Sequence, residues 1–285
     1  MFRSIIQHLR FAFSILLLPI FLFALVELKT AQINVSAAVL LFVLLHLLVY
    51  PSSNAYNSLQ DKDQGSIGLV KSPLPAAKEL VWVTLVMDIA AVLLSLLING
   101  YTALGVFVYI LFSRLYSHRG IRLKKYPLIG FLTVFIFQGF WIYVLVQYAV
   151  GGVGVQLSYL MAICASCLIG AMYPLSQIYQ HQQDKEDGVT SMSYLLGYRG
   201  TFLFSGLLFL AGTFIYVYSH LLEHRETEVT VFMICQMPVV LFFLYWFVKV
   251  WKETDEADFK NTMRMNIIAS FCMNISFIIL FCCKQ

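Results

Sequence analysis

Charge is scarce in this chain: Asp, Glu, Lys and Arg make up 12% of its 285 residues, against 60% hydrophobic residues. Soluble globular chains carry about twice that share of charge, so a water-facing fold is excluded and a membrane setting follows. Regular alternation of apolar and polar residues is lacking too, which rules out a transmembrane barrel. The first apolar run has no small-residue cleavage site behind it and is followed by Glu27 and Lys29, so it reads as a first span and not as a removable leader. The six cysteines lie singly or in pairs inside apolar runs and offer neither a disulfide framework nor a metal cluster. Cys164 and Cys167 have the spacing of a redox pair, but small soft residues inside an apolar helix serve packing.

What the sequence does have is a series of apolar runs on the scale of the roughly 20 residues that a helix needs to cross hydrocarbon. They fall near 11–29, 36–53, 79–98, 101–115, 128–149, 155–176, 199–219, 229–250 and 265–283. The expected fold is all-α, a polytopic membrane bundle of about nine transmembrane helices forming one domain over residues 1–285. Sixteen of the nineteen Lys and Arg fall on one side of these runs, and only Lys29, Arg225 and Lys284 fall opposite. By the positive-inside rule the N-terminus faces the cytoplasm, and an odd number of spans puts the C-terminus outside. The setting expected is a bacterial inner membrane. The net charge of +4 reflects this loop bias, and no nucleic-acid partner is expected.

One stretch occurs twice. YPSSNAYNSLQDKDQG at residues 50–65 returns as YPLSQIYQHQQDKEDG at residues 173–188, a constant offset of 123. Tyr50/Tyr173, Pro51/Pro174, Ser53/Ser176, Tyr56/Tyr179, Gln60/Gln183, Asp61/Asp184, Lys62/Lys185 and Gly65/Gly188 are identical. The chain therefore reads as an internal duplication, with halves of roughly 1–127 and 128–250 and a final helix at 265–283. In each copy a Tyr, two amides and an Asp recur at helical intervals: Tyr50, Asn54, Asn57 and Asp61, then Tyr173, Gln177, Gln180 and Asp184. On a helix each set forms one polar stripe ending in carboxylates. Both stripes lie on the cytoplasmic side.

Outside the repeat, Pro19 is expected to kink the first span, and His46 reads as a packed, hydrogen-bonded histidine. Lys71, in a loop broken by Pro73 and Pro75, could reach back over the first motif or stand in solvent. Asp88 lies near the centre of the third run, where a charge needs a function or a partner. Residues 113–127, SRLYSHRGIRLKKYP, form the densest basic cluster, suited to anionic lipid headgroups or to a phosphorylated substrate. HLLEHRETEVT reads as a solvated outer turn, and GGVG at 151–154 as a flexible connection.

Carboxylates clustered beside basic groups suit Mg²⁺, which takes oxygen ligands and substrate phosphates rather than a closed protein cage. Asp61 and Asp63 on one helix end, with Asp184, Glu186 and Asp187 on the other, could bridge a diphosphate through metal, and Asn57 and Gln180 could complete the shell. A diphosphate so neutralised leaves readily. If it departs from an allylic carbon, aromatic faces in an apolar cavity would stabilise the cation. Tyr50, Tyr56, Tyr173 and Tyr179 are placed for that wall or for interfacial anchoring.

NSLQDKD at 57–63, the basic YSHRGIRLKK at 116–125 and QHQQDKEDG at 180–188 resemble the two aspartate-rich motifs and the intervening basic loop of UbiA-type intramembrane prenyltransferases. The resemblance spans nearly the whole chain. It implies a helical bundle around a central cavity, a Mg²⁺-bound polyprenyl diphosphate, and prenyl transfer to a small acceptor, often aromatic. Carried over by position, it makes Asp61, Asp184, Arg122 and Lys124 the catalytic candidates. Asp61, Asp63, Asp184, Asp187 and Asn57 become the metal candidates. Asn54, Asn57, Gln177, Gln180, Tyr50, Tyr173, Lys71, Arg114, Tyr116 and His181 become the substrate-binding candidates. Departures stand beside these matches: Ser58 and Gly65 in the first motif, and Gln180 and Gly188 in the second, occupy positions where the family usually has Asp. A subfamily with altered metal geometry and a non-catalytic lipid-diphosphate binder both remain open, as does a transporter built from repeats.

Overall fold

A computed structural model describes residues 1–61, 65–152 and 154–284. Nine helical rods account for most of them. They are α1 (Phe2–Val26), α2 (Val35–Asp61), α3 (Leu80–Ser95), α4 (Gly100–Ser117), α5 (Pro127–Gly151), α6 (Tyr159–Glu186), α7 (Met192–Leu222), α8 (Glu226–Lys252) and α9 (Phe259–Cys283). All but α3 and α4 are long and apolar enough to cross a membrane. Among the described residues the only β pairing is an isolated bridge between Ile67 and Val70.

Helix ends depart from the apolar runs where polar residues carry the helix onward. α2 continues to Asp61 and α6 to Glu186, because the motif residues keep the backbone ladder although their side chains leave hydrocarbon. α6 does so through a tight 3₁₀ turn at Ile178–Gln180. α1 begins at Phe2 and is broken at Arg10, whose φ of 48° is left-handed, and again by a 3₁₀ turn at Ile15–Leu17. Pro19 then sits in the opening turn of the segment Leu18–Val26, where its missing N–H is no loss.

Each rod packs on the next, and α9 packs back on α1, so the nine form a closed circuit. At the end away from the motifs the circuit is filled. Phe23 stacks on Phe277 with ring centroids 4.9 Å apart and meets Tyr143 edge-on at 5.2 Å. Tyr216 and Phe232 stack behind them at 4.2 Å. Toward the motif end the rods stand apart around a cavity.

Two π-helical segments interrupt the rods, Leu44–Val49 in α2 and Phe135–Trp141 in α5. In the second, the Phe140 N–H donates across to Ser166 Oγ at 2.8 Å. That contact needs α5 and α6 to touch. Gly139 allows it, since a Cβ there would stand 2.4 Å from Ser166 Cα.

The loop between α7 and α8 is largely exposed, as its mixed charge suggests, but His220, Arg225 and Glu228 turn inward from it. Arg225 donates to Glu27 Oε2 at 3.0 Å and to Glu228 Oε1 at 2.8 Å, and His220 faces Glu27 Oε1 at 3.2 Å. Lys284 donates to the Val26 and Leu28 carbonyls beside them. Burial pushes the Glu27 carboxyl up, but His220 and Arg225 outweigh it and hold Glu27 below its ordinary value. Glu27, His220 and Glu228 bring ligand atoms within 4.8 Å of one another. Arg225 already bonds both carboxylates, so the cluster is an ion network tying α1 to α7 and α8.

Candidate active site

The cavity encloses about 320 Å³ and is lined by every rod except α3. On α6 its lining runs from Leu168 to Asp184, about 24 Å at 1.5 Å per residue. Its far wall is apolar and aromatic, with Phe23, Phe137, Phe209 and Phe277. Its mouth is polar, with Asn54, Asn57 and Asp61 on α2, and Gln177, Gln180 and Asp184 on α6.

These stripes face the same space because both motif helices continue past the apolar runs, and the basic loop between α4 and α5 crosses their ends. Arg122, left-handed at φ 51°, turns that loop inward. Its guanidinium donates to Asp61 Oδ1 at 3.1 Å and also to the Asp187 carboxylate. Lys124 donates to the other Asp61 oxygen and to Asn57 Oδ1 at 3.3 Å. Arg119 adds a contact to Asp187 at 3.3 Å. One guanidinium thus ties the two motifs together across 65 residues of sequence between Arg122 and Asp187. Burial favours neutral forms at both ends of this pair, but the ion contacts win: Asp187 is held below the usual carboxylate range and Arg122 is raised.

Asp184 is placed differently. Its Oδ2 is buried without a hydrogen-bond partner in a wall it shares with Asp61. A buried carboxylate oxygen left unpaired beside further carboxylates and the Asn57 amide is a donor set that fits a hard divalent cation such as Mg²⁺. One layer in, the hydroxyls of Tyr116 and Tyr173 bond at 2.6 Å and Gln177 Nε2 donates to Tyr173 at 3.0 Å, while at the mouth Gln180 Nε2 donates to the Tyr179 hydroxyl at 3.1 Å.

Several expected residues lie elsewhere. Tyr50 is buried one ring behind the wall, edge-on to Tyr109, and it is Tyr109 that lines the cavity. Arg114 turns out of the cavity to bond Asp88 and Ser52, and its guanidinium lies 4.0 Å over the Tyr56 ring. This accounts for the intramembrane Asp88 as a paired charge and removes Arg114 and Tyr56 from the wall, because two opposite charges in a poorly polarisable setting satisfy each other first. His181 points into α7, where it bonds Ser193 Oγ at 2.8 Å and stacks on Tyr198. Lys71 is exposed, as is Glu186, which accepts from Gln182. Asp63 lies outside the described residues.

Other lining residues carried no signal in the repeat. Arg10, on the broken turn of α1, bonds the Asn54 carbonyl at 2.8 Å at the mouth. Ser117, at the end of α4, donates to Asn57 Oδ1 at 2.9 Å. Gly68 brings the loop after the first motif against Phe13, where a Cβ would stand 2.6 Å from the ring. Arg10 borders a long apolar run and Ser117 lies inside the basic loop, so both had a local cue. Gln236 and Asn266 sit in apolar runs and had none.

Comparison with known proteins places this architecture. No curated protein matches the sequence. Solved structures match along the whole chain at low identity. The apo structure of a UbiA homolog from Aeropyrum pernix K1 has a TM-score of 0.73 at 17% identity, covering 95% of this chain and 98% of that one. A UbiA homolog from Archaeoglobus fulgidus, bound to GPP and Mg²⁺, has a TM-score of 0.67 at 17% identity over 98% and 99% of the chains. A structure of digeranylgeranylglyceryl phosphate synthase in membranes has a TM-score of 0.62 at 18% identity over 99% and 98%. At these identities the likeness is one of fold. The family model for the UbiA prenyltransferase family matches residues 11–268, most of the chain, and this integral membrane protein therefore belongs to that family.

Proposed function

We propose that this protein is a Mg²⁺-dependent membrane prenyltransferase that moves a prenyl group from a polyprenyl diphosphate to a small acceptor, which we take to be aromatic. The observation that carries this is the meeting of both acidic helix ends with Arg122 and Lys124 at the mouth of one deep apolar cavity. An amphiphile with an anionic head and a hydrocarbon tail matches that polarity. Mg²⁺, held by Asp61, Asp184 and Asp187 with Asn57, would supply charge neutralisation for the leaving diphosphate.

The chain's own groups do the rest. Arg122 and Lys124 exchange carboxylate partners for phosphate oxygens and hold the head in register. Asn57 and Gln180 orient it by hydrogen bonds. The allylic carbon then lies near the Tyr116 and Tyr173 rings, whose faces stabilise positive charge as the carbon–oxygen bond breaks. Phe137 and Phe209 deeper in the wall keep water from the cation. The acceptor's nucleophilic atom forms the new bond to that carbon, and its proton leaves to solvent or to a nearby base. The bias of Lys and Arg supports a cytoplasmic mouth, and we take the membrane to be a bacterial inner membrane.

A family member that binds the lipid diphosphate without turning it over is the second possibility. Ser58 favours it, standing fully buried where the family usually has an aspartate. A transporter finds no support, since the carboxylates that line the cavity cluster at one end and the opposite end is packed shut by aromatic rings.

Purified protein in lipid nanodiscs, given labelled geranyl, farnesyl or geranylgeranyl diphosphate, Mg²⁺ and a panel of phenols, should release diphosphate and form a prenylated product. Asp61→Ala and Asp184→Ala should each abolish Mg²⁺-dependent diphosphate binding while the bundle stays folded. Retained binding in both variants would overturn the site. Binding without turnover of any donor would leave the second possibility standing.

A further inference from the structure

One polar side chain on the cavity wall has no part in the chemistry proposed above. Asn266, on α9, is 8% exposed and lines the cavity. Its Nδ2 is shut away without a partner, whereas its Oδ1 keeps accessible surface and bonds no described residue. In a side chain this buried, that open surface belongs to the cavity wall. Ser270, one turn deeper, also lines the cavity, but its hydroxyl already donates to the Ile15 carbonyl at 3.4 Å. The other lining residues of this stretch of α9, Met263, Ala269 and Met273, are apolar.

The depth of Asn266 follows from two contacts. At the mouth the rings of Tyr179 on α6 and Phe259 on α9 meet edge-on at 5.1 Å. From there α9 descends seven residues to Asn266 and α6 descends six to Tyr173, about 10 Å and about 9 Å at the helical rise. Asn266 thus stands in the layer of the Tyr116 and Tyr173 hydroxyls, where the allylic carbon is proposed to lie. The second contact agrees. Ser270 meets Ile15, five residues below Arg10, and Arg10 bonds the Asn54 carbonyl. That sets Asn266 near the level of Asn54, the counterpart in the repeat of the Gln177 that donates to Tyr173. α9 closes the circuit on the side away from α4, so Asn266 and Tyr116 border this layer from opposite walls.

A carbonyl oxygen open in an apolar wall favours a ligand that brings it an O–H or N–H. The prenyl tail carries neither, and a Mg²⁺-bound diphosphate presents oxygens, so the prenyl acceptor is the partner that remains. We infer that Asn266 Oδ1 recognises a hydroxyl on the prenyl acceptor and holds its ring beside the allylic carbon. An amide takes no proton at neutral pH, so Asn266 binds and orients and adds no step to the reaction. The inference rests on the proposed prenyltransferase site and names what its acceptor must carry: a free hydroxyl, which an ether cannot replace.

The test saturates detergent-solubilised protein with Mg²⁺ and geranyl S-thiolodiphosphate, an unreactive donor analogue, then titrates it by calorimetry with 1-naphthol and with its methyl ether. Wild type should bind the naphthol about tenfold more tightly, the scale of one buried hydrogen bond. Asn266→Leu and Asn266→Ala should each erase that preference by weakening the naphthol alone, with the ether and the donor analogue bound as in wild type. Equal affinity of wild type for the two probes, binding of neither, or a preference that survives in a variant still holding the analogue would overturn the inference. Loss of the analogue from both variants would mean that the amide shapes the cavity, and would overturn it too. Failure of wild type to bind the analogue at all would instead refute the parent site.

Discussion

Arg122 supports a prediction with two opposite signs. In the ligand-free arrangement it stands on Asp61 at 3.1 Å and on Asp187, two carboxylates proposed to hold Mg²⁺. At an effective dielectric of about 20, a unit pair at 3.1 Å gains about 5 kcal/mol of Coulomb energy. Desolvation of both ions, and the 29% exposure of the Asp187 side chain, cut the net worth to about 1–2 kcal/mol. Any cation that takes these oxygens must displace the guanidinium first. Arg122→Gln should therefore tighten Mg²⁺ alone by about 5- to 30-fold, the factor that corresponds to 1–2 kcal/mol. The same change removes a fork that grips phosphate oxygens, so inorganic pyrophosphate in saturating Mg²⁺ should bind more weakly by a similar factor. Calorimetric titrations of detergent-solubilised protein, first with Mg²⁺ and then with pyrophosphate, read both numbers. If Mg²⁺ alone binds Arg122→Gln no better than wild type, the guanidinium does not compete for these oxygens and the proposed ligand set is wrong.

Two further predictions concern the frame. Gly139→Ala places a methyl 2.4 Å from Ser166 Cα, a contact that only a shift of α5 against α6 relieves, and should cost about 1–3 kcal/mol of stability; an unchanged melting temperature would refute the close approach. Glu27 is held below its ordinary value of 4.5 in the folded protein, so its contribution is present above that pH and lost as pH falls through the lowered value. Wild type should therefore melt above Glu27→Gln at neutral pH, and the gap should close on acidification below about pH 4.5. A gap that persists at low pH would mean that Glu27 contributes by packing alone.

Much of the site was legible because chemistry of this kind leaves regular marks on helices. Carboxylates and amides at four- and three-residue intervals can only be one face of a helix, and finding the face twice announced two such helices. Asp61, Asn57, Asn54, Asp184, Gln180 and Gln177 all line the cavity as that spacing predicts. The misplacements occurred where a partner on another helix decided the direction of a side chain. Arg114 belongs to the basic loop by sequence, but Asp88, 26 residues away, claims it first. His181 lies one helical turn before Asp184, yet Ser193 and Tyr198 draw it into α7. Tyr50 has the spacing of the stripe and is screened from the cavity by Tyr109.

The amino-acid sequence alone determined that the chain is helical, that it lives in a membrane, and which polar stripes it carries, because hydrocarbon allows long apolar runs only one backbone and because helical periodicity is written locally. Tertiary structure alone decided that Arg122 joins Asp61 to Asp187, that Glu27 is tied to Arg225, and that Arg114 goes to Asp88 rather than to the cavity. Those facts depend on which faces of distant rods meet when the circuit closes. No spacing within a single helix encodes that meeting.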